Sequence, residues 1–114
     1  MKHYYIDTNC LISYVTDRNI SQQKRITPFI EKAAVLKHKL IITSNVITEF
    51  VYVCTVVYKL DLLRVRSLIV DLLHTPGMEV VEEYSLSFIL YVWPSFITDY
   101  GDAVLADSVQ TNGG

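Results

Sequence analysis

Four carboxylates stand apart from the other charges in this chain. Asp7 is the one residue charged at neutral pH between Lys2 and Asp17, Glu49 the one between Leu40 and Lys59, and Asp99 and Asp102 follow fifteen uncharged residues, Tyr84 to Thr98. A carboxylate in an apolar stretch is costly to bury without a partner, so its presence implies either a partner or a function. Glu49 lies in such a stretch, which reads as protein interior. Each acid also has a plain structural use: Asp7 as a helix N-cap, Asp99 or, less easily, Asp102 as the N-terminal cap of the last helix, Glu49 in a helix-dipole or capping role. The capping-box position three residues after Ser44 is Ile47, so Glu49 does not serve that device. A set of carboxylates with no Cys or His suits Mg²⁺ or Mn²⁺ rather than zinc, and such ions serve phosphodiester cleavage.

The elements that must position these acids alternate in type. His3 to Ile6 is a short extended run; Asp7, Thr8 and Asn9 start a helix carrying Leu11, Ile12 and Val15. Ser21 to Ile26 is helical, and Thr27-Pro28 marks a fresh helix start that continues to Leu36. Lys39 to Thr43 is the second strand. Ser44 or Asn45 caps a helix with Val46, Phe50, Val53 and Val57 on one side, and Asp61 caps another that ends before Thr75-Pro76-Gly77. Met78 to Val81 is the third strand. Ser85 to about Thr98 reads as a helix kinked at Pro94, and Asp102 to Gln110 as the last helix, closed by Asn112-Gly113-Gly114. Strands separated by helices predict a three-layer α/β/α architecture with a central parallel sheet covered on both faces. In such a sheet, strand ends and helix starts share the edge where ligands bind, and Asp7, Glu49 and Asp102 each fall there. Brought together without a basic neighbour, they would repel one another, and a hard divalent cation would relieve that.

Composition narrows the partners. The chain has 114 residues, 51% hydrophobic and 19% charged, which suits one domain. Its formal charge of -2 excludes a polybasic mode of wrapping nucleic acid. The charge is uneven: residues 1–57 carry seven Lys/Arg and four acids, residues 58–114 three and eight. Phosphate attraction and a solvated helix face both account for the basic half. The longest apolar run, Phe50 to Tyr58, is too short to span a bilayer, and Asp7 interrupts any secretory leader, so a cytoplasmic location is expected. Cys10 and Cys54 read as buried thiols. His3, His38 and His74 read as surface or strand-end residues. A receiver domain needs adjacent acids at the first strand end and a haloacid-dehalogenase-type phosphatase needs one two residues after the nucleophile; Thr8 and Asn9 follow Asp7 instead.

Four segments carry a resemblance: Tyr5-Ile6-Asp7-Thr8-Asn9-Cys10-Leu11-Ile12, Ile41 to Phe50, Thr75-Pro76-Gly77-Met78-Glu79-Val80, and Asp99-Tyr100-Gly101-Asp102-Ala103-Val104-Leu105-Ala106. In this order they resemble a PIN-domain ribonuclease, most nearly the VapC-like toxin of toxin–antitoxin pairs. The resemblance covers essentially the whole chain. It implies Mg²⁺- or Mn²⁺-dependent endonucleolytic cleavage of single-stranded or structured RNA, with water attacking the phosphorus in line and leaving 3′-hydroxyl and 5′-phosphate ends. By motif position Asp7, Glu49 and Asp102 are the catalytic, metal-holding acids and Asp99 an accessory metal acid, while Thr8, Asn9 and Ser44 steady the site. An antitoxin partner and a homodimer are implied as well.

The chain departs from the family pattern at its end. Family members continue into a further strand with a fourth acid in a Thr-x-Asp-like motif, whereas this sequence ends at Asn112-Gly113-Gly114. The expectation is one PIN-like domain over 1–114, C-terminally truncated, with its first strand left as an apolar edge. Asp107 sits too far around its helix from Asp102 to substitute. The alternative function is a catalytically weak PIN remnant acting as a binding or dimerisation module through the helical pair from Val46 to Leu73.

Overall fold

The computed structural model describes residues 2–111; the expected closing turn at 112–114 lies outside them. A parallel sheet of β1 (Lys2–Tyr5), β2 (His38–Thr43) and β3 (Met78–Val81) runs in the order β1-β2-β3. Six helices connect and flank it: α1 (Thr8–Val15), α2 (Ile20–Ala34), α3 (Ser44–Tyr52), α4 (Leu62–Leu73), α5 (Leu86–Val92) and α6 (Tyr100–Thr111). This is the mixed α/β architecture expected. Register places Tyr4 beside Leu40 and Leu40 beside Met78, with Ile42 beside Val80. Strand side chains alternate in direction, so these residues share one face, and all of them join the core formed by the helices. The central strand buries Leu40, Ile41 and Ile42 in succession, as a strand enclosed on both faces does. Cover thins over the outer strands on the Ile41 face. There Tyr5 and Val81 are exposed and Lys39 Nζ lies 2.8 Å from Glu79 Oε2. Among the described residues β1 is an edge strand, as expected.

Three local expectations are corrected. α2 is continuous through Pro28 and is capped by Asn19, whose side chain accepts from the Gln22 N–H. Ile26, Ile30 and Ala33 form one buried stripe across the proline, and this packing holds the axis despite the missing donor. α3 is capped by Thr43, which accepts from the Val46 N–H at 3.3 Å, rather than by Ser44 or Asn45, and it widens into a π-helical turn over Val53–Val57. α5 ends at Val92 instead of kinking on to Thr98. Pro94 has no N–H for the Leu90 carbonyl, which accepts from Arg66 Nε at 2.8 Å.

Gly77 sets the close approach of the α2 end to the sheet. A Cβ there would lie 2.4 Å from the His38 carbonyl oxygen and 2.6 Å from that of Ala33. The space is filled by backbone bonding: the Gly77 N–H donates to the Ala33 oxygen at 2.9 Å, and the Leu40 N–H to the Gly77 oxygen at 2.8 Å.

Candidate active site

Asp7 follows β1 by two residues and caps α1. Its Oδ1 accepts from the Cys10 N–H at 2.8 Å while its carboxylate stays exposed. The cap explains why extended backbone turns into helix here. Thr8, the first residue of α1, donates its hydroxyl to Glu49 Oε2 at 2.9 Å. That bond joins the start of α1 to α3 and places Glu49 on the same sheet edge as Asp7.

Glu49 is exposed, which corrects the expectation of a buried carboxylate. In α3, Ile47, Phe50 and Val51 turn into the core, and the helical period carries Glu49 to the other side. At α6 the Asp102 N–H donates to Asp99 Oδ1 at 2.9 Å and the Ala103 N–H to the Asp99 oxygen at 3.1 Å, so Asp99 is the capping residue and Asp102 lies in the first turn. Both are exposed.

Five further residues take different places. Ser44 is fully buried; its hydroxyl donates to the Val81 oxygen at 3.2 Å and accepts from the Glu83 N–H at 2.9 Å, tying the end of β2 to that of β3. Asn9 is exposed, and its carbonyl accepts from Arg18 Nη2 at 3.4 Å. Cys10 is half-buried rather than buried. Burial, followed by the hydrogen bond to Asp7, pushes the Cys10 thiol up against the opposing charge of Arg25, so the sulfur stays protonated at neutral pH. Cys54 is buried, and desolvation pushes its thiol up to about 11. Asp107 is buried and accepts from the Ser85 N–H at 3.0 Å, well occupied in a structural role.

A hydroxyl cluster that the sequence reading missed links the elements bearing the acids. Tyr84 donates to the Ser44 carbonyl at 2.8 Å, and its oxygen lies 2.6 Å from Thr48 Oγ1 and 3.3 Å from the Tyr100 hydroxyl. Burial, and then the bond to Tyr84, pushes the Tyr100 phenol far up, so it is a neutral group throughout the working range. These side chains hold the first turn of α6 against α3. The one signal in the sequence is Thr48 placed four residues after Ser44, one helical turn away.

A PIN-domain family model matches residues 4–111 of the chain. The chain belongs to the PIN domain family. PIN domains are generally metal-dependent nucleases, hydrolases that act on nucleic acids and typically use divalent ions. None of the curated proteins matches this PIN domain closely enough to count as a relative. No described helix is long and apolar enough to cross a membrane.

The donors of this PIN domain fit a hard cation in kind: the carboxylates of Asp7 and Glu49 and the Thr8 hydroxyl are oxygen ligands at one exposed edge, and the one ion pair among the described residues uses none of them. In position they are less complete. Among the described residues no three His, Cys, Asp or Glu side chains gather closely enough to hold a metal.

Proposed function

We propose that this PIN domain is an Mg²⁺- or Mn²⁺-dependent endoribonuclease that cleaves single-stranded RNA as the toxin of a VapC-like toxin–antitoxin pair in the cytoplasm. The observation that supports the reading is the 2.9 Å bond from Thr8 to Glu49, which joins the helix capped by Asp7 to the helix that carries Glu49 in a fold whose ligands generally bind beyond the strand ends. Asp7, Glu49 and Asp102 would hold the cation and Asp99 would assist from the α6 cap. A bound cation supplies charge neutralisation at the phosphoryl oxygens and polarises a nucleophilic water. Thr8 orients the Glu49 carboxylate, and the Asp7 cap orients its own carboxylate. Ser44, through the ends of β2 and β3, supports the edge, and Asn9 is tied to Arg18 through its carbonyl. Tyr52, Val56, Val57 and Leu63 are exposed on the α3–α4 side and offer apolar surface for a homodimer or an antitoxin.

The test is cleavage of a labelled single-stranded RNA with Mn²⁺, with mapping of the product ends. The reading requires 3′-hydroxyl and 5′-phosphate ends, and loss of cleavage in Asp7→Asn. A second reading is favoured by the absence of a gathered three-acid cluster among the described residues: a weak PIN remnant that acts by binding. RNA binding or self-association without metal-dependent cleavage would support it.

A further inference from the structure

Two arginines of the basic N-terminal half lie close to α1. Arg18 Nη2 reaches the first turn of α1, donating to the Asn9 carbonyl at 3.4 Å and to Gln22 Oε1 at 3.2 Å. Three residues after Gln22, Arg25 is exposed and its side chain makes no hydrogen bond or ion pair among the described residues. It stands at a cavity of about 280 Å³ between α1 and α2 that is lined by Cys10, Gln22, Arg25, Ile26 and Phe29. Cys10 belongs to the Asp7 cap, so the cavity adjoins the acidic edge directly. Its inner side is apolar. Phe29 packs there, edge-on to Tyr4 with centroids 4.9 Å apart and stacked on His38 at 5.8 Å.

We propose that this cleft is a nucleotide subsite: it takes one nucleotide of a single-stranded RNA, the phosphate on Arg25 and the base over Ile26 and Phe29, with Arg18 meeting the neighbouring phosphate. The inference rests on the ribonuclease reading and deepens it. Exposed carboxylates repel a polyanion, and the whole chain has a formal charge of -2, so a strand approaching the acids needs cations placed beside them. An unpaired guanidinium supplies forked donors matched to a phosphate, and an apolar, aromatic wall accepts any base by its face. Together, phosphate and base contacts set which linkage of the strand lies at the acids.

The experiment is fluorescence anisotropy of a labelled RNA of about eight nucleotides in EDTA, where metal-dependent cleavage is off, over a series of salt concentrations. Arg25→Gln should weaken binding about fivefold or more and reduce the slope of log K against log[salt] by about 0.7, the share of one single-strand phosphate. Arg64→Gln, the same charge removed from exposed α4, should leave the slope unchanged. RNAs with one abasic position at a time should show a single position that weakens binding to the wild type. An unchanged slope in Arg25→Gln, an equal loss in Arg64→Gln, or indifference to every abasic position overturns the subsite while leaving the ribonuclease reading intact. Wild type that neither binds this RNA nor cleaves it with Mn²⁺ overturns the ribonuclease reading itself.

Discussion

The Thr8 hydroxyl donates to Glu49 Oε2 at 2.9 Å, across 41 residues of sequence. One bond thereby couples the helix that Asp7 caps to the helix that carries the second acid. Its loss should be felt in orientation more than in stability, because the Glu49 carboxylate is exposed and water can replace the donor. Thr8→Val keeps the shape; we expect a change in unfolding free energy within about 1 kcal/mol and a fall in RNA cleavage of about tenfold or more. Denaturant unfolding and single-turnover cleavage measure the two. Retained cleavage would deny Thr8 its positioning role.

Asp7 offers a clean separation of cap from ligand. Asn caps helices about as well as Asp, so Asp7→Asn should keep apo stability while losing most of the rise in Tm that Mn²⁺ gives the wild type. Glu49→Gln should likewise leave the apo protein within about 0.5 kcal/mol and lower cleavage about 100-fold. Identical Mn²⁺ responses in wild type and Asp7→Asn would remove Asp7 from the metal set.

Tyr84→Phe removes a hydroxyl that meets the Ser44 carbonyl, Thr48 and Tyr100. Leaving these partly buried groups short of a partner should cost about 1–3 kcal/mol. Calorimetry reads the loss, and cleavage should fall with it as α6 loosens against α3. Thr48→Val in the Tyr84→Phe background should cost less than in the wild type, because the two hydroxyls share one cluster.

Gly77→Ala should destabilise the fold by about 3 kcal/mol, since the new methyl meets the backbone of His38 and Ala33, which cannot swing aside. Equilibrium unfolding in urea is the measurement. Wild-type stability would mean that the α2 end can withdraw from the sheet without loss.

His38 should make stability fall in acid. Desolvation, with Lys32 and Lys2 nearby, holds its imidazole below the usual histidine value, and Nδ1 is buried without a partner. A lowered folded pKa means that the unfolded chain binds the proton more readily. The contribution is complete above the unfolded pKa of about 6.5 and is lost as pH falls through the folded value. Melting curves from pH 7.5 to 5 should show wild type losing Tm faster than His38→Phe, which keeps the rings of Tyr4 and Phe29 in contact. Parallel curves would exclude His38 as the source.

The strands were legible because their information is local. Met78–Val81 is read directly from its alternation between turn residues, and the first two strands lie within a residue of their observed ends. The same holds for the caps at Asp7, Asp61 and Asp99, where a short acid precedes an apolar period. Pro28 misled because a local breaker was outweighed by a buried stripe that forms only when α2 meets its neighbours. Glu49 misled for a related reason: an uncharged neighbourhood says that a segment is half inside, whereas the direction of one side chain depends on which flank of the helix meets the core.

By itself, then, the sequence determined the order of elements, the parallel sheet and the family, since apolar spacing, caps and short motifs act over a few residues. Tertiary structure alone decided the partners of the hydroxyls: Thr8 went to Glu49, Ser44 to the end of β3, and Tyr84 to both Ser44 and Tyr100. A hydrogen bond requires two atoms to meet within about 3 Å at a workable angle. When those atoms lie 16 to 41 residues apart, only the packing of whole helices and strands can set that distance.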